Sequence, residues 1–398
     1  MMMPGENQML RIYRWLRWPL LLLAAAGLIL LADWRLTRPD VLQWDDFVVY
    51  WAAGRLNGWG QNPYDWEALF ALERMAGRPP EEASAPLGMW NPPWTLVLFT
   101  PFGMLPYPLA RSLWFLFQMS ALVWSADRLW FLAGGNKAYR LLSWLLALLF
   151  GPALHALKVG QASPLLLLGA AGFLHFARQE RWWAASAMVS LLFIKPHVCY
   201  LVLAGLFLRA ILQRRWALVG GLFGGPSLAL LVVALTNPAA LPGSLQALLN
   251  SPAREQATPT LGAWLRFLLG IDQYWLQFLP SVVVFILFVR CLLQWREKEV
   301  DKEHLGQWTL FSLLTMPYGW TFDHVVALIA LIPLAIRLGW RPREPLWWGL
   351  WGAYLAVDTV LLFVGGNMFW HIWLAPFWLL WAAMAHRLSQ QLQLKVIA

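Results

Sequence analysis

Charge is scarce in this sequence. Of its 398 residues, 13% are Asp, Glu, Lys or Arg, while 60% are hydrophobic. Soluble domains carry about 25% charged residues, so much of this surface has to face lipid. Repeated apolar runs of membrane-spanning length say the same. Cysteine is nearly absent. Cys199 and Cys291 lie far apart, each inside an apolar run, which excludes a disulfide framework and any cysteine-based metal spacing. No compelling small-residue cleavage site follows the apolar run 12–33, so it reads as an uncleaved first span with the N-terminus in the cytoplasm. No repeat relates the two halves, since the carboxylate-rich stretch after that run has no counterpart beyond residue 217.

The charge that is present falls in short basic clusters between apolar runs. The net charge of +9 therefore reads as a topology signal and not as a nucleic-acid surface. Further apolar segments recur near 109–131, 140–157, 160–177, 183–211, 217–236, 275–294, 307–320, 322–338, 346–364 and 368–385. The C-terminal half is oriented by placing four clusters in the cytoplasm: Arg209/Arg214/Arg215, Arg290/Arg296/Lys298/Lys302, Arg337/Arg341/Arg343 and Arg387/Lys395. In the N-terminal half, the proline-bracketed segment 91–108 either crosses once or dips in and returns. If it returns, and the helix breaks at Lys195-Pro196, then Arg128, Lys137, Arg140, Arg178 and Arg181 also fall inside, with about twelve spans in all.

The expected fold class is an all-α polytopic membrane protein, a single transmembrane domain over residues 1–398 with both termini cytoplasmic. Two extracytoplasmic loops, 34–90 and 237–274, are long enough to fold. In the first, Trp44, Phe47 and Trp51 share a helical stripe, and Asp46, Tyr50 and Ala53 line a neighbouring one. Gly58 and Gly60 end that helix, and Asp65 is a fitting N-cap for a second, Trp66 to Met75. Both are expected to be amphipathic juxtamembrane helices lying on the membrane surface.

Ionisable groups near lipid are costly unless paired or facing water, so each asks for a reason. Asp45-Asp46 is either a solvated span end or a catalytic pair. Lys195, in SLLFIKPHVCYLVL, is a snorkelling lysine or a cation that holds a phosphate. In TMPYGWTFDHVVALIALIPL, Pro317 and Gly319 break a span just before Trp320, Asp323 and His324, and His324 is a satisfied core histidine or a site residue. Gln161 reads as helix–helix glue or a site amide. A carboxylate, a cation and a histidine at one membrane face suit transfer from a lipid-phosphate donor. The carboxylate takes the proton of an acceptor hydroxyl, and the cation neutralises the departing phosphate. Neighbouring carboxylates on a helix point about 100° apart, which disfavours a shared metal; no metal and no cofactor are expected.

The stretches DDFVVYWAAGRLNGWGQNPYD, WNPPWTLVLFTPFGMLP, ARSLWFLF, GQASPLLLLGAAGFL, SAMVSLLFIKPHVCYLVLAGLFLRAILQRRW and MPYGWTFDHVVALIALIPL follow one another in this order. In that order and spacing the chain resembles the bacterial integral-membrane mannosyltransferases of the GT-C superfamily that use polyprenyl-phosphate-mannose. The resemblance covers roughly residues 10–385. It implies a GT-C-type fold, a sugar carried on a polyprenyl phosphate, a glycolipid or glycan acceptor, and inverting transfer on the extracytoplasmic face of the inner (plasma) membrane. The family's catalytic aspartate matches Asp46, with Asp45 an adjacent competitor. Its Lys-Pro block matches Lys195-Pro196, and its histidine after the broken span matches His324; both are expected at the donor phosphate. Trp44, Tyr50, Tyr64, Gln161, Trp320 and Asp323 are expected around the sugar or acceptor cavity. Two departures bear on donor or acceptor choice: Ala162-Ser163 stand where the family usually has Asn, and Asn91 where it often has Tyr. A polytopic transporter or flippase is the rival reading, because broken helices and intramembrane charges also mark transport pathways.

Overall fold

The computed structural model describes residues 45–80, 87–250, 257–294, 302–340, 344–363 and 368–397, and the structural statements below concern those residues. The expected first span at 12–33, Trp44, and the basic residues Arg296, Lys298, Arg341 and Arg343 lie outside them.

Every regular element among the described residues is helical. The chain runs through α1 (Phe47–Gly58), α2 (Trp66–Met75), α3 (Leu96–Gly103), α4 (Tyr107–Leu132), α5 (Arg140–Leu148), α6 (Gly151–Val159), α7 (Ser163–Ala177), α8 (Trp182–Val189) and α9 (Tyr200–Leu212). It continues through α10 (Trp216–Thr236), α11 (Ala240–Leu249), α12 (Leu261–Leu269), α13 (Leu279–Gln294), α14 (Lys302–Thr315), α15 (Leu328–Leu338), α16 (Pro345–Phe363) and α17 (Leu374–Ile397). One continuous buried cluster extends from Phe47 to Leu388.

Three helical segments are each long and apolar enough to cross a membrane: Trp216–Thr236, Thr321–Leu338 and Met368–Gln391. Several other expected runs are divided. The run 140–157 is bent by 61° between α5 and α6, where a proline stands in the first turn of α6. The run 183–211 breaks as expected, passing from α8 through a 3-10 turn, Ser190–Ile194, to Lys195-Pro196 before α9. Proline disfavours the helical conformation in the residue before it, and Lys195 is accordingly non-helical at φ −138° and ψ 75°.

The first loop differs from expectation in one respect. Helix α1 is not a surface helix with one wet face: Phe47, Val48, Val49, Tyr50, Trp51, Ala52 and Ala53 are all buried. The reason is its pairing with α3 through glycines on both sides. A Cβ added at Gly54 would stand 2.4 Å from the Phe99 carbonyl oxygen, and one at Gly103 2.3 Å from the Arg55 nitrogen, so the two backbones pack closer than side chains allow. Arg55 then donates to the carbonyls of Gly103 and Leu105 and closes the end of α3. Eight residues give α3 about 12 Å of length, too little to cross a hydrocarbon core of about 30 Å. Helix α2 does begin at Asp65, whose carboxylate accepts from Ala68 N–H at 2.9 Å, and it buries Leu69, Phe70, Leu72 and Glu73 on one side.

Candidate functional site

The end of α6 organises the site. The last carbonyls of a helix lack partners within it, and here they are met from outside. Leu157 and Lys158 accept from Arg111 Nη2 at 2.9 and 3.0 Å, and Val159 accepts from the Asp46 N–H at 2.8 Å. Gly160 follows in the left-handed region at φ +71°, where a Cβ would lie 2.5 Å from Phe47 Cβ and 2.9 Å from Asp45 Oδ1. Only glycine tolerates both the conformation and the contact. This turn sets Gln161 opposite the start of α1.

The two adjacent carboxylates are treated differently. Asp45 is fully buried. Its Oδ2 accepts from Arg111 Nε at 2.8 Å and from the Tyr107 hydroxyl, and its Oδ1 accepts from the Phe47 N–H at 2.9 Å. Asp46 is partly exposed and has one hydrogen-bond partner for its carboxylate among the described residues, Gln161 Nε2 at 2.7 Å from Oδ2. Gln161 is held in turn, because its Oε1 accepts the Tyr50 hydroxyl at 2.8 Å and its backbone carbonyl accepts from Gln118 Nε2. The Tyr50 ring stacks on Phe99 with centroids 4.4 Å apart. Burial pushes the Asp46 carboxyl up to about 6, against the Gln161 hydrogen bond and the Lys195 charge, which both pull it down.

Lys195 is the centre of a second cluster. Its Nζ lies 2.7 Å from Asp323 Oδ1 and 3.4 Å from Ser163 Oγ, and 4.7 Å from the centroid of the Phe322 ring. Asp323 also accepts from the Ser163 hydroxyl and, through Oδ2, from the Trp320 N–H at 3.0 Å. Both members of the pair are buried, and these added hydrogen bonds supply what a buried ion pair needs to persist. The 3-10 turn Thr321–Ala327 puts Asp323 on this network and leaves His324 off it. His324 is buried, and its Nδ1 has no hydrogen-bond partner among the described residues.

The remaining expected residues frame these clusters. The Tyr64 hydroxyl donates to the Asn91 carbonyl at 2.9 Å, and Asn91 Nδ2 donates to the Ile194 carbonyl at 3.4 Å, one residue before Lys195. Trp320 stacks between Trp90 and Phe322, with centroids at 6.4 and 5.9 Å. Asn91 and Ser163, the two departures noted in the sequence, thus both serve the frame around Lys195.

Sequence reasoning missed Arg111, Tyr107 and Gln118. The signal for Arg111 was present: a lone arginine early in the apolar run 109–131 demands a partner, and that partner is Asp45. Among the described residues, no group of three His, Cys, Asp or Glu side chains is arranged to hold a metal ion. The arrangement places a carboxylate, oriented by a neutral amide and accessible from one side, within the electrostatic reach of a buried lysine. Such a carboxylate is fitted to accept a proton from a bound hydroxyl.

Residues 90–317, more than half of the chain, match the family model described as glycosyltransferase family 87. Neither the curated proteins nor the solved structures include a significant match.

Proposed function

This chain belongs to glycosyltransferase family 87, and from that premise we propose that it moves a sugar, mannose, from a polyprenyl-phosphate donor to a hydroxyl of a glycolipid or glycan. Transfer takes place on the extracytoplasmic face of the inner (plasma) membrane, within a single multi-pass domain whose termini are cytoplasmic. The acceptor oxygen attacks the anomeric carbon from the face opposite the phosphate, so the configuration inverts. The bond from that carbon to the phosphate oxygen breaks, the phosphate leaves with the electron pair, and the acceptor proton passes to Asp46.

The observation that carries this reading is the contrast between the two aspartates. The carboxylate of Asp45 is taken up by Arg111, Tyr107 and the Phe47 N–H, while that of Asp46 is steadied, among the described residues, by Gln161 alone and is partly exposed. Asp46 is the base in this scheme, and Asp45 positions it by anchoring the residue before it. Lys195 has three N–H donors, of which Asp323 and Ser163 take two. The third has no hydrogen-bond partner among the described residues and is the one that meets the leaving phosphate; His324 follows Asp323 on the Thr321–Ala327 turn and is buried there. Tyr50, Tyr64, Gln161, Asp323 and Trp320 shape the sugar and acceptor cavity.

The test is transfer of labelled mannose from polyprenyl-phosphate-mannose to a membrane-lipid extract by the purified protein, with Asp46→Asn and Asp45→Asn beside it. Transfer by the wild type, lost in a folded Asp46→Asn variant, supports the reading. Transfer that survives Asp46→Asn removes Asp46 as the base. Transfer of a different lipid-linked sugar and not of mannose corrects the donor.

A further inference from the structure

The two loop helices α2 and α11 flank a groove that the scheme above touches only through Tyr64. It has a volume of about 400 Å³ and is lined by Asn62, Tyr64, Trp66, Glu67, Gln246 and Asn250, among others. Its walls are fixed to each other. Asn237 Nδ2 donates to Asn57 Oδ1 at 3.1 Å and to the Gln61 carbonyl at 2.8 Å. A Cβ at Gly243 would stand 2.0 Å from Asn62 Oδ1, so α11 rests directly on the Asn62 amide.

The lining has a definite chemistry. The amides of Gln246 and Asn250 on one wall face the Asn62 amide, the Tyr64 and Trp66 rings and the carboxylates of Asp65 and Glu67 on the other, and no lysine or arginine among the described residues lines it. Such a surface repels phosphate. It offers paired donors and acceptors to hydroxyls, and an aromatic face to the C–H side of a sugar ring.

The groove is linked to the Lys195 cluster by Gly88 and the aromatic rings on either side of it. Trp66 lies against Gly88, where a Cβ would meet its ring at 2.5 Å. Two residues on, Trp90 is 36% exposed and stacks on Trp320, which stacks on Phe322, the ring beneath Lys195 Nζ. Tyr64 joins the same two places, lining the groove while its hydroxyl bonds Asn91, which in turn bonds Ile194.

We propose that Trp66, Trp90 and Trp320 form a track for an oligosaccharide acceptor, whose distal sugar sits in the groove between α2 and α11 while its terminal residue reaches Asp46. This rests on the glycosyltransferase reading and narrows it: the acceptor is a glycan of several residues or a lipid bearing one, and not a bare lipid alcohol.

The experiment is saturation-transfer NMR of the full chain in detergent with linear mannose and glucose oligosaccharides of one to four residues, without donor. Signals that strengthen with length, and fall about tenfold in affinity in Trp66→Ala and in Trp90→Ala, support the track. Gln246→Ala, at an exposed helix position, and Trp90→Phe, which retains a ring, guard against loss of fold. The first is expected to weaken binding and the second to preserve most of it. No binding to any oligosaccharide, or binding indifferent to Trp66, Trp90 and Gln246, overturns the proposal. Asp46→Asn separates the two readings, since it is expected to bind the oligosaccharides while failing to transfer. Track-dependent binding by a wild type that transfers no sugar keeps the track and overturns the donor scheme. Transfer to an oligosaccharide with KM unmoved by the tryptophan variants keeps the scheme and overturns the track.

Discussion

Gln161 donates an amide hydrogen to Asp46 at 2.7 Å while its own carbonyl oxygen receives the Tyr50 hydroxyl. An ionised carboxylate only accepts, so it draws the amide nitrogen toward itself, and the tyrosine hydroxyl, which can donate, satisfies the other end; among the described residues Asp46 has one oxygen held in this way and no hydrogen bond to the other.

Replacing the two aspartates has different expected outcomes. Asp46→Asn removes the proposed proton acceptor and is expected to lower turnover by about two to four orders of magnitude with the melting temperature little changed. Asp45→Asn leaves Arg111 buried without its countercharge, which costs about 3–5 kcal/mol. It should appear first as lost thermal stability in detergent. Turnover per folded molecule, measured beside unfolding, tells the two apart.

The activity should depend on pH through Asp46. A base works in its unprotonated form, so with the carboxyl raised by burial to about 6, transfer is expected to rise with pH through that value and level off above it. Gln161→Met removes a hydrogen bond that favours the charged carboxylate. The midpoint of the pH–rate profile is then expected to move upward, and an unmoved midpoint would sever Gln161 from the titrating group.

Lys195 and Asp323 invite a paired substitution. Lys195→Met leaves the buried Asp323 carboxylate with Ser163 and the Trp320 N–H alone, and is expected to destabilise by about 3–5 kcal/mol. Adding Asp323→Leu removes the orphaned charge and should restore much of the melting temperature. Transfer should stay low in the double variant if Lys195 meets the leaving phosphate. Recovery of transfer together with stability would assign Lys195 a purely architectural role.

Gly160→Ala tests the turn that aligns the site. The left-handed backbone costs a non-glycine residue roughly 1–2 kcal/mol, and the added carbon meets Phe47 Cβ at 2.5 Å, which forces α1 away from α6. A lower melting temperature together with a loss of transfer is expected. An alanine variant of normal stability would mean that α1 and the Gly160 turn can part without cost.

Much of the frame was legible from composition and punctuation. Asp65 caps α2, the helix breaks at Lys195-Pro196, and Pro317-Gly319 precedes a new turn, because proline and capping residues act on the chain next to them. The burial of α1 was not legible. Its stripes suggested one wet face, but Gly54 and Gly103 are 49 positions apart in the sequence, and nothing local announces that they meet. His324 shows the same limit, since adjacency to Asp323 gave no sign that the 3-10 turn would send one side chain to Lys195 and leave the other outside that network.

By itself, then, the sequence determined the lipid-facing character of the chain, its all-helical elements and the short list of polar groups that had to be explained. Apolar content, helical period and the cost of charge near lipid are properties of residues and their immediate neighbours. The tertiary structure alone decided which aspartate is spent and which is open, because that choice depends on Arg111 and Gln161, brought to Asp45 and Asp46 from 66 and 115 positions away. A carboxylate's chemistry is set by the partners and solvent around it, and the fold supplies both.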